Sequence, residues 1–281
     1  NVIARGLASR KTTTVGVVIS DITRASVAQM LGGISDIAEQ YKYSIKIFPI
    51  LENKDVLDAL QDIVAEQVDG VLYLNDELND KDVDLIKRMF TDNNIPFVFA
   101  NVVTNDPSVP TVSIDYVKAG YELTKKLIEK GAKELYLLST ARRYSVNDKK
   151  EEGYTKAMKE ANLEPKVIRT SGDITVNRPH FETFFEDKKV DGAIGVRDSI
   201  AISFMNTALD NGKKVPEDLK VASFQNTKYS VLVRPQLTSL DIPVYDIGAV
   251  SMRLLTKLMK QQEVENIRVI LPHHIMIRKT T

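Results

Sequence analysis

Short β-branched runs recur through the first third of the chain, at Val15–Ile19, Ile45–Phe48, Gly70–Leu74 and Pro96–Ala100. They are apolar on both faces, as strands covered by helices on both sides should be. Between them, stretches near 28–40, 54–66 and 80–93 carry the amphipathic period of a helix. This alternation predicts βαβ units around a parallel sheet. A second series follows. Tyr116, Ala119, Leu123 and Leu127 share one face of a helix over 116–130. Then come Leu135–Leu138, a helix near 147–161, Val167-Ile168, a helix near 177–186, Gly192–Gly195, a helix near 198–211 and Leu219–Phe224. Asn211-Gly212 supplies a helix stop, and Pro216 blocks continuation.

The pattern predicts an α/β fold of two doubly wound parallel-sheet subdomains divided near 110–116. A late amphipathic segment near 245–260 and two short strands come after the second series is complete, and such late elements tend to return to an earlier domain. The expected organisation is a segment 1–11, a first subdomain of 12–114 with 242–268, and a second of 115–241 with 269–281. Two such halves joined by crossovers make a hinged cleft, a common place for a small ligand.

A length of 281 residues fits about two domains. Lys+Arg and Asp+Glu are both 38, for a net charge of 0, so any contact with nucleic acid must be local. The absence of Cys excludes disulfides, Cys-ligated metals and a thiol nucleophile, and fits a reducing compartment. No apolar run reaches the length of a membrane span, and Asn1–Arg10 does not read as a signal peptide. A cytoplasmic location is expected.

Chemistry is sparse. The turn after the first strand run, Ser20–Ser26, has no phosphate-binding glycine pattern, and Gly32-Gly33 falls too late to serve as one. G-x-S-x-G and zinc-hydrolase motifs are absent. His273 and His274 sit on a terminal strand and point opposite ways, so they read as edge or surface residues. His180, after Pro179, reads as a helix-start residue. No enzyme activity, cofactor or metal is expected.

Two features remain. Arg5, Arg10 and Lys11 give the first eleven residues a charge of +3 with no acid, beside apolar Val2, Ile3 and Leu7. This suits a minor-groove wedge among phosphates, or a frayed terminal tail. In the late helix, Ile247, Val250, Leu254 and Leu258 form an apolar stripe, while Arg253 and Lys257 stand one turn apart on another face. The pair reads as a receptor for a phosphate or carboxylate, or as a solvated basic face.

The stretch Ala4–Val18 resembles the hinge and first strand of LacI/GalR-type repressors. Asp36-Ile-Ala38 with Tyr41-Lys-Tyr43, Glu66–Gly70 and Ser113–Tyr116 are similar to the same family, as are Val233–Ser239, Tyr245–Lys257 and Leu271-Pro-His273. Within it the chain is most like the carbon catabolite regulators of Gram-positive bacteria. The resemblance implies a periplasmic-binding-protein-like type I fold and a homodimer. It implies a hinge whose Ala4, Arg5, Leu7 and Ala8 meet operator DNA, below a helix-turn-helix head that would lie upstream of Asn1. It also implies a corepressor, serine-phosphorylated HPr, held by Asp21, Gln29, Asp36 and Tyr41 early in the chain and by Tyr245, Arg253 and Lys257 late in it. Gln29 stands where relatives usually carry Glu.

The effector cleft departs from the family. Ser26 and Val27 replace aromatics, and Arg197 and Gln225 stand where Asp is usual. An Asp accepts hydrogen bonds from sugar hydroxyls, whereas Arg only donates. A cleft of Ser26, Arg143, Arg197 and Gln225 suits an anionic effector such as a sugar phosphate, or has drifted because a protein partner regulates. The competing function is a repressor of one sugar operon with a small inducer. A transport receptor would call for a signal peptide or lipid anchor and no basic hinge, and an enzyme for a motif that is not present.

Overall fold

The computed structural model describes residues 12–20, 22–50, 56–74, 76–171 and 174–281. The chain divides into two compact units: one runs to Ser113 and takes up Pro243–Leu271, the other is Ile114–Ile242 with Pro272–Thr281. No helix among the described residues is long and apolar enough to cross a membrane.

The first unit is built on β1 (Thr14–Ile19), β2 (Ser44–Pro49), β3 (Gly70–Tyr73), β4 (Phe97–Ala100), β5 (Thr111–Ile114) and β11 (Arg268–Leu271). Their order across the sheet is β11-β5-β4-β3-β1-β2, and the ladders from β2 through β5 are parallel. Helices α1 (Ala25–Tyr41), α2 (Val56–Ala65), α3 (Asp80–Asp92) and α9 (Val244–Met259) cover it. β1, β3 and β4 are buried along nearly their whole length, which explains their unbroken apolar sequences. Tyr73, Phe90 and Phe99 fill the core beneath, with the Tyr73 and Phe99 rings 5.3 Å apart. α3 starts on a capping box, in which Asn79 accepts from Lys81 and Asp82 amides and Asp82 accepts from the Asn79 amide.

The second unit repeats the plan with β6 (Leu135–Thr140), β7 (Lys166–Thr170), β8 (Gly192–Gly195), β9 (Lys220–Ser223), β10 (Thr238–Asp241) and β12 (His274–Met276). The order is β12-β10-β9-β8-β6-β7, parallel except for the antiparallel β12. Its helices are α4 (Tyr116–Glu129), α5 (Ser145–Glu160), α6 (Ile174–Asp187), α7 (Asp198–Asp210) and α8 (Lys228–Leu232). The doubly wound α/β architecture expected from the pattern is therefore present in both units.

Several expectations need correction. Residues 269–271, expected in the second unit, belong to β11 at the edge of the first sheet, where the Thr111 amide bonds the Ile267 carbonyl. α6 begins at Ile174, so His180 lies inside the helix after an interior Pro179 and is not a helix start. His274 is exposed on an edge strand. The His273 side chain is only 7% exposed and its Nε2 meets Glu122 Oε2 at 2.8 Å, so it is an anchored residue and not a surface one. The buried face of α9 runs through Ile247, Gly248, Met252 and Leu255, while Val250 and Leu258 are half-buried. The helix lies against β3, β4 and α1 together, so its apolar face is wider than one stripe.

Candidate functional site

The late helix α9 returns to the first unit and packs along α1. Two glycines allow the approach. A Cβ on Gly33 would stand 2.1 Å from the Tyr245 carbonyl oxygen, and one on Gly248 would stand 2.1 Å from that of Met30. Only hydrogen fits at either contact. The crossing places early and late residues on one surface. The Tyr245 hydroxyl donates to Asp36 Oδ2 at 2.5 Å, and Tyr245 stays 46% exposed. This bond to Asp36 holds the Tyr245 hydroxyl above the usual phenol range, with Arg253 pulling the other way. At the far ends of the two helices, Lys260 Nζ lies 4.9 Å from the Tyr41 ring centre, within cation–π reach.

Arg253 and Lys257 are both exposed, and neither side chain makes an ion pair or hydrogen bond among the described residues. Lys257 sits in the last turn of α9, where a cation also complements the helix dipole. Of the expected corepressor residues, Gln29, Asp36, Tyr41, Tyr245, Arg253 and Lys257 thus lie on α1 and α9, all exposed. Asp21 lies outside the described residues, as do Ala4, Arg5, Leu7 and Ala8 of the hinge.

The expected effector residues all follow strand ends, where doubly wound sheets take ligands. Ser26 is half-buried in the first turn of α1, after β1. In the second unit Arg143 follows β6, Arg197 follows β8 and Gln225 follows β9. Arg143 is exposed and paired with Asp148 at 2.8 Å. The Gln225 carbonyl accepts from Ser223 Oγ at 2.6 Å.

Two charged residues there escaped the reading of the sequence. Lys150 is only 3% exposed; its amine donates to the Val196 carbonyl at 3.2 Å and to Asn147 Oδ1 at 3.3 Å. The same amine lies over the Tyr116 and Phe224 rings, at 5.3 and 5.4 Å. Asp198, also 3% exposed, accepts from the Thr227 hydroxyl and amide and from the Ser199 amide. Burial raises the Asp198 carboxyl above its ordinary range despite these bonds. Asp198 follows Arg197 in the chain, but its carboxylate is taken up by Thr227 and Ser199. The signal for Lys150 was its position among Val146, Gly153, Tyr154 and Ala157 on the buried face of α5. Among the described residues no group of His and carboxylates is arranged to hold a metal.

A periplasmic-binding-protein-like domain family matches residues 124–281. Catabolite control protein A of Priestia megaterium is 38% identical across the whole of this chain and 85% of the relative. The protein of that name from Staphylococcus epidermidis is 37% identical over the same shares. The crystal structure of the transcription regulator CcpA of Lactococcus lactis superposes with a TM-score of 0.82 and 33% identity, over 95% of this chain and 98% of that one. A CelR–cellobiose complex shares the fold with a TM-score of 0.85 at 19% identity, over 99% of this chain and 89% of that one. These relatives are regulators and not enzymes. Carrying their periplasmic-binding-protein-like core and similar throughout to catabolite control protein A, the chain belongs to the LacI-type transcription regulators.

Proposed function

We propose that this chain is the core of a cytoplasmic carbon catabolite regulator whose corepressor is serine-phosphorylated HPr. The observation that carries the reading is the α1–α9 surface. It sets exposed Arg253 and Lys257 one turn apart on the helix whose Tyr245 pairs with Asp36 of α1. A phosphoserine brings about −1.5 to −2 charges and three acceptor oxygens at neutral pH. Arg253 can hold two oxygens at once, and Lys257 adds a point charge. Tyr245 offers an apolar face, and its hydroxyl is already oriented by Asp36. Gln29 leaves the surface one negative charge short of the usual family pattern.

Calorimetry with phosphorylated and unphosphorylated HPr tests this. Each lost charge-assisted bond should cost about 1.5–3 kcal/mol. Arg253→Ala with Lys257→Ala should therefore weaken the phosphorylated form far more than the other, and more at low salt than at high. Equal losses for both forms would sink the assignment.

In the same reading residues 1–11 form the DNA hinge, with Ala4, Arg5, Leu7 and Ala8 at the operator, and two copies of the chain associate. A second reading, a single-operon repressor with a small inducer, draws support from the strand ends of the second unit. There Arg197, which only donates, favours an anionic sugar derivative over a neutral sugar. Tight binding of a neutral sugar, unchanged by Arg197→Ala, would refute that preference.

A further inference from the structure

The structure assigns Asp69 the role of a positioning residue that fixes the backbone direction at Thr12-Thr13, where the N-terminal segment joins the first sheet. This rests on the proposal that residues 1–11 read DNA. Asp69 lies between α2 and β3, and both its oxygens are used on the chain just before β1. Oδ1 accepts from the Thr12 amide at 3.0 Å and from the Thr12 hydroxyl at 3.3 Å, and Oδ2 accepts from the Thr13 amide at 2.8 Å. The backbone closes the clamp, with the Asp69 amide on the Thr14 carbonyl at 2.9 Å and the Ser44 amide on the Thr13 carbonyl at 2.8 Å. Thr13 is held at φ 53°, in the left-handed region. A β-branched residue is rare there, and such strain persists only where surrounding bonds enforce it.

The second unit supplies an internal comparison. Val68-Asp69-Gly70 recurs as Val190-Asp191-Gly192. Asp191 accepts from the Lys133 and Glu134 amides, just before β6, at 2.9–3.0 Å. The clamp itself is therefore part of how each sheet begins. Two things differ at Asp69. Neither Lys133 nor Glu134 has a positive φ, whereas Thr13 does. The chain that reaches Lys133 comes from α4 within the same unit, whereas the chain that reaches Thr12 comes from the basic segment. A sheet needs the carboxylate to start its strands; it does not need a strained threonine. The left-handed turn redirects the chain at Thr13, and Asp69 holds it in that direction.

The test uses the full-length gene product and a duplex selected with it from a random-sequence library. Asp69→Asn keeps one acceptor but turns an amide group toward a backbone N–H. Thr13→Gly relieves the left-handed strain and keeps the amide that Asp69 holds. Asp69→Asn should weaken duplex binding about tenfold, the loss of one such bond's worth of positioning, and adding Thr13→Gly to it should recover part of that loss, because the turn then needs less enforcing. Asp191→Asn, compared at equal folded fraction, should leave duplex binding unchanged, and none of these variants should alter affinity for phosphorylated HPr. Unchanged duplex affinity in Asp69→Asn, no recovery in the double variant, or an equal loss in Asp191→Asn overturns the positioning role. A wild-type protein that selects no duplex overturns instead the DNA reading on which it rests.

Discussion

Tyr154 shows what one hydroxyl contributes to the second unit. Its ring is fully buried, and its oxygen lies 2.7 Å from the Leu135 carbonyl and 3.0 Å from that of Lys166, while accepting from the Lys166 amide at 2.9 Å. It ties the first residues of β6 and β7 together from beneath, and burial raises its pKa beyond the usual phenol range. Tyr154→Phe keeps the ring but strands these backbone groups, so it should cost about 1–3 kcal/mol, read as a lower urea midpoint with unchanged slope. Asp106 makes a pH-dependent contribution. The Lys87 amine at 2.6 Å, helped by the Ser108 hydroxyl and amide, holds its carboxyl well below the ordinary 3.8. A lowered carboxyl pKa means the unfolded chain binds the proton more readily. The contribution is thus present above 3.8 and is lost as pH falls through the lower folded value. Asp106→Asn should lower the urea midpoint at neutral pH, and the gap to wild type should close in an acid series. At this scale the sequence was least legible. Lys150, Asp198 and Asp69 are ordinary surface residue types, and their roles come from the strand ends and turns that enclose them.

The pairing of α1 with α9 decides whether the candidate corepressor surface exists at all. Gly33 and Gly248 sit against backbone oxygens that have nowhere to move unless the helices separate. Gly32, one residue away, would place a Cβ 3.8 Å from the Tyr245 ring, an ordinary contact. Gly248→Ala should therefore cost about 1–3 kcal/mol or more through overpacking and should also weaken phosphorylated HPr. Gly32→Ala should be neutral or stabilising, since Ala favours a helix by about 1 kcal/mol over Gly. Thermal unfolding and calorimetry on the two variants check both; equal behaviour would mean that the two backbones do not approach this closely at Gly248. Periodicity predicted both helices, but the meaning of Gly32-Gly33 was invisible without the partner helix. The strands β5 and β10 and the short α8 were not foreseen either. Thr111–Ile114 and Thr238–Asp241 mix hydroxyl and apolar residues, and their burial comes from neighbours in the sheet.

At the scale of the molecule, strand–helix alternation and the surplus late helix were enough to give two doubly wound units and the return of α9 to the first. What the alternation could not show is which outer face the proposed homodimer would use. The second unit presents one candidate. Tyr229, Val231 and Leu232 around α8 are 52%, 41% and 66% exposed, and Val176 on α6 is 54% exposed. Tyr229 also borders a cavity of about 510 Å³ that Ile202 and Asn206 of α7 help to line. Exposed apolar side chains clustered at one short helix, as at α8, are uncommon on a monomer and mark contact surfaces. A second copy is the occupant that fits the proposed homodimer, whose isologous contact would bring each α8 against the same face of its partner. Leu232→Asp and Tyr229→Asp place charges on exposed positions, so the fold of one copy should survive. Both should shift sedimentation toward the monomer and lower the apparent Tm, and the wild-type rise of Tm with concentration should flatten. A variant that sediments as the wild type does would clear this face and move the search to the edge strand β2, where Ile47 is 42% exposed.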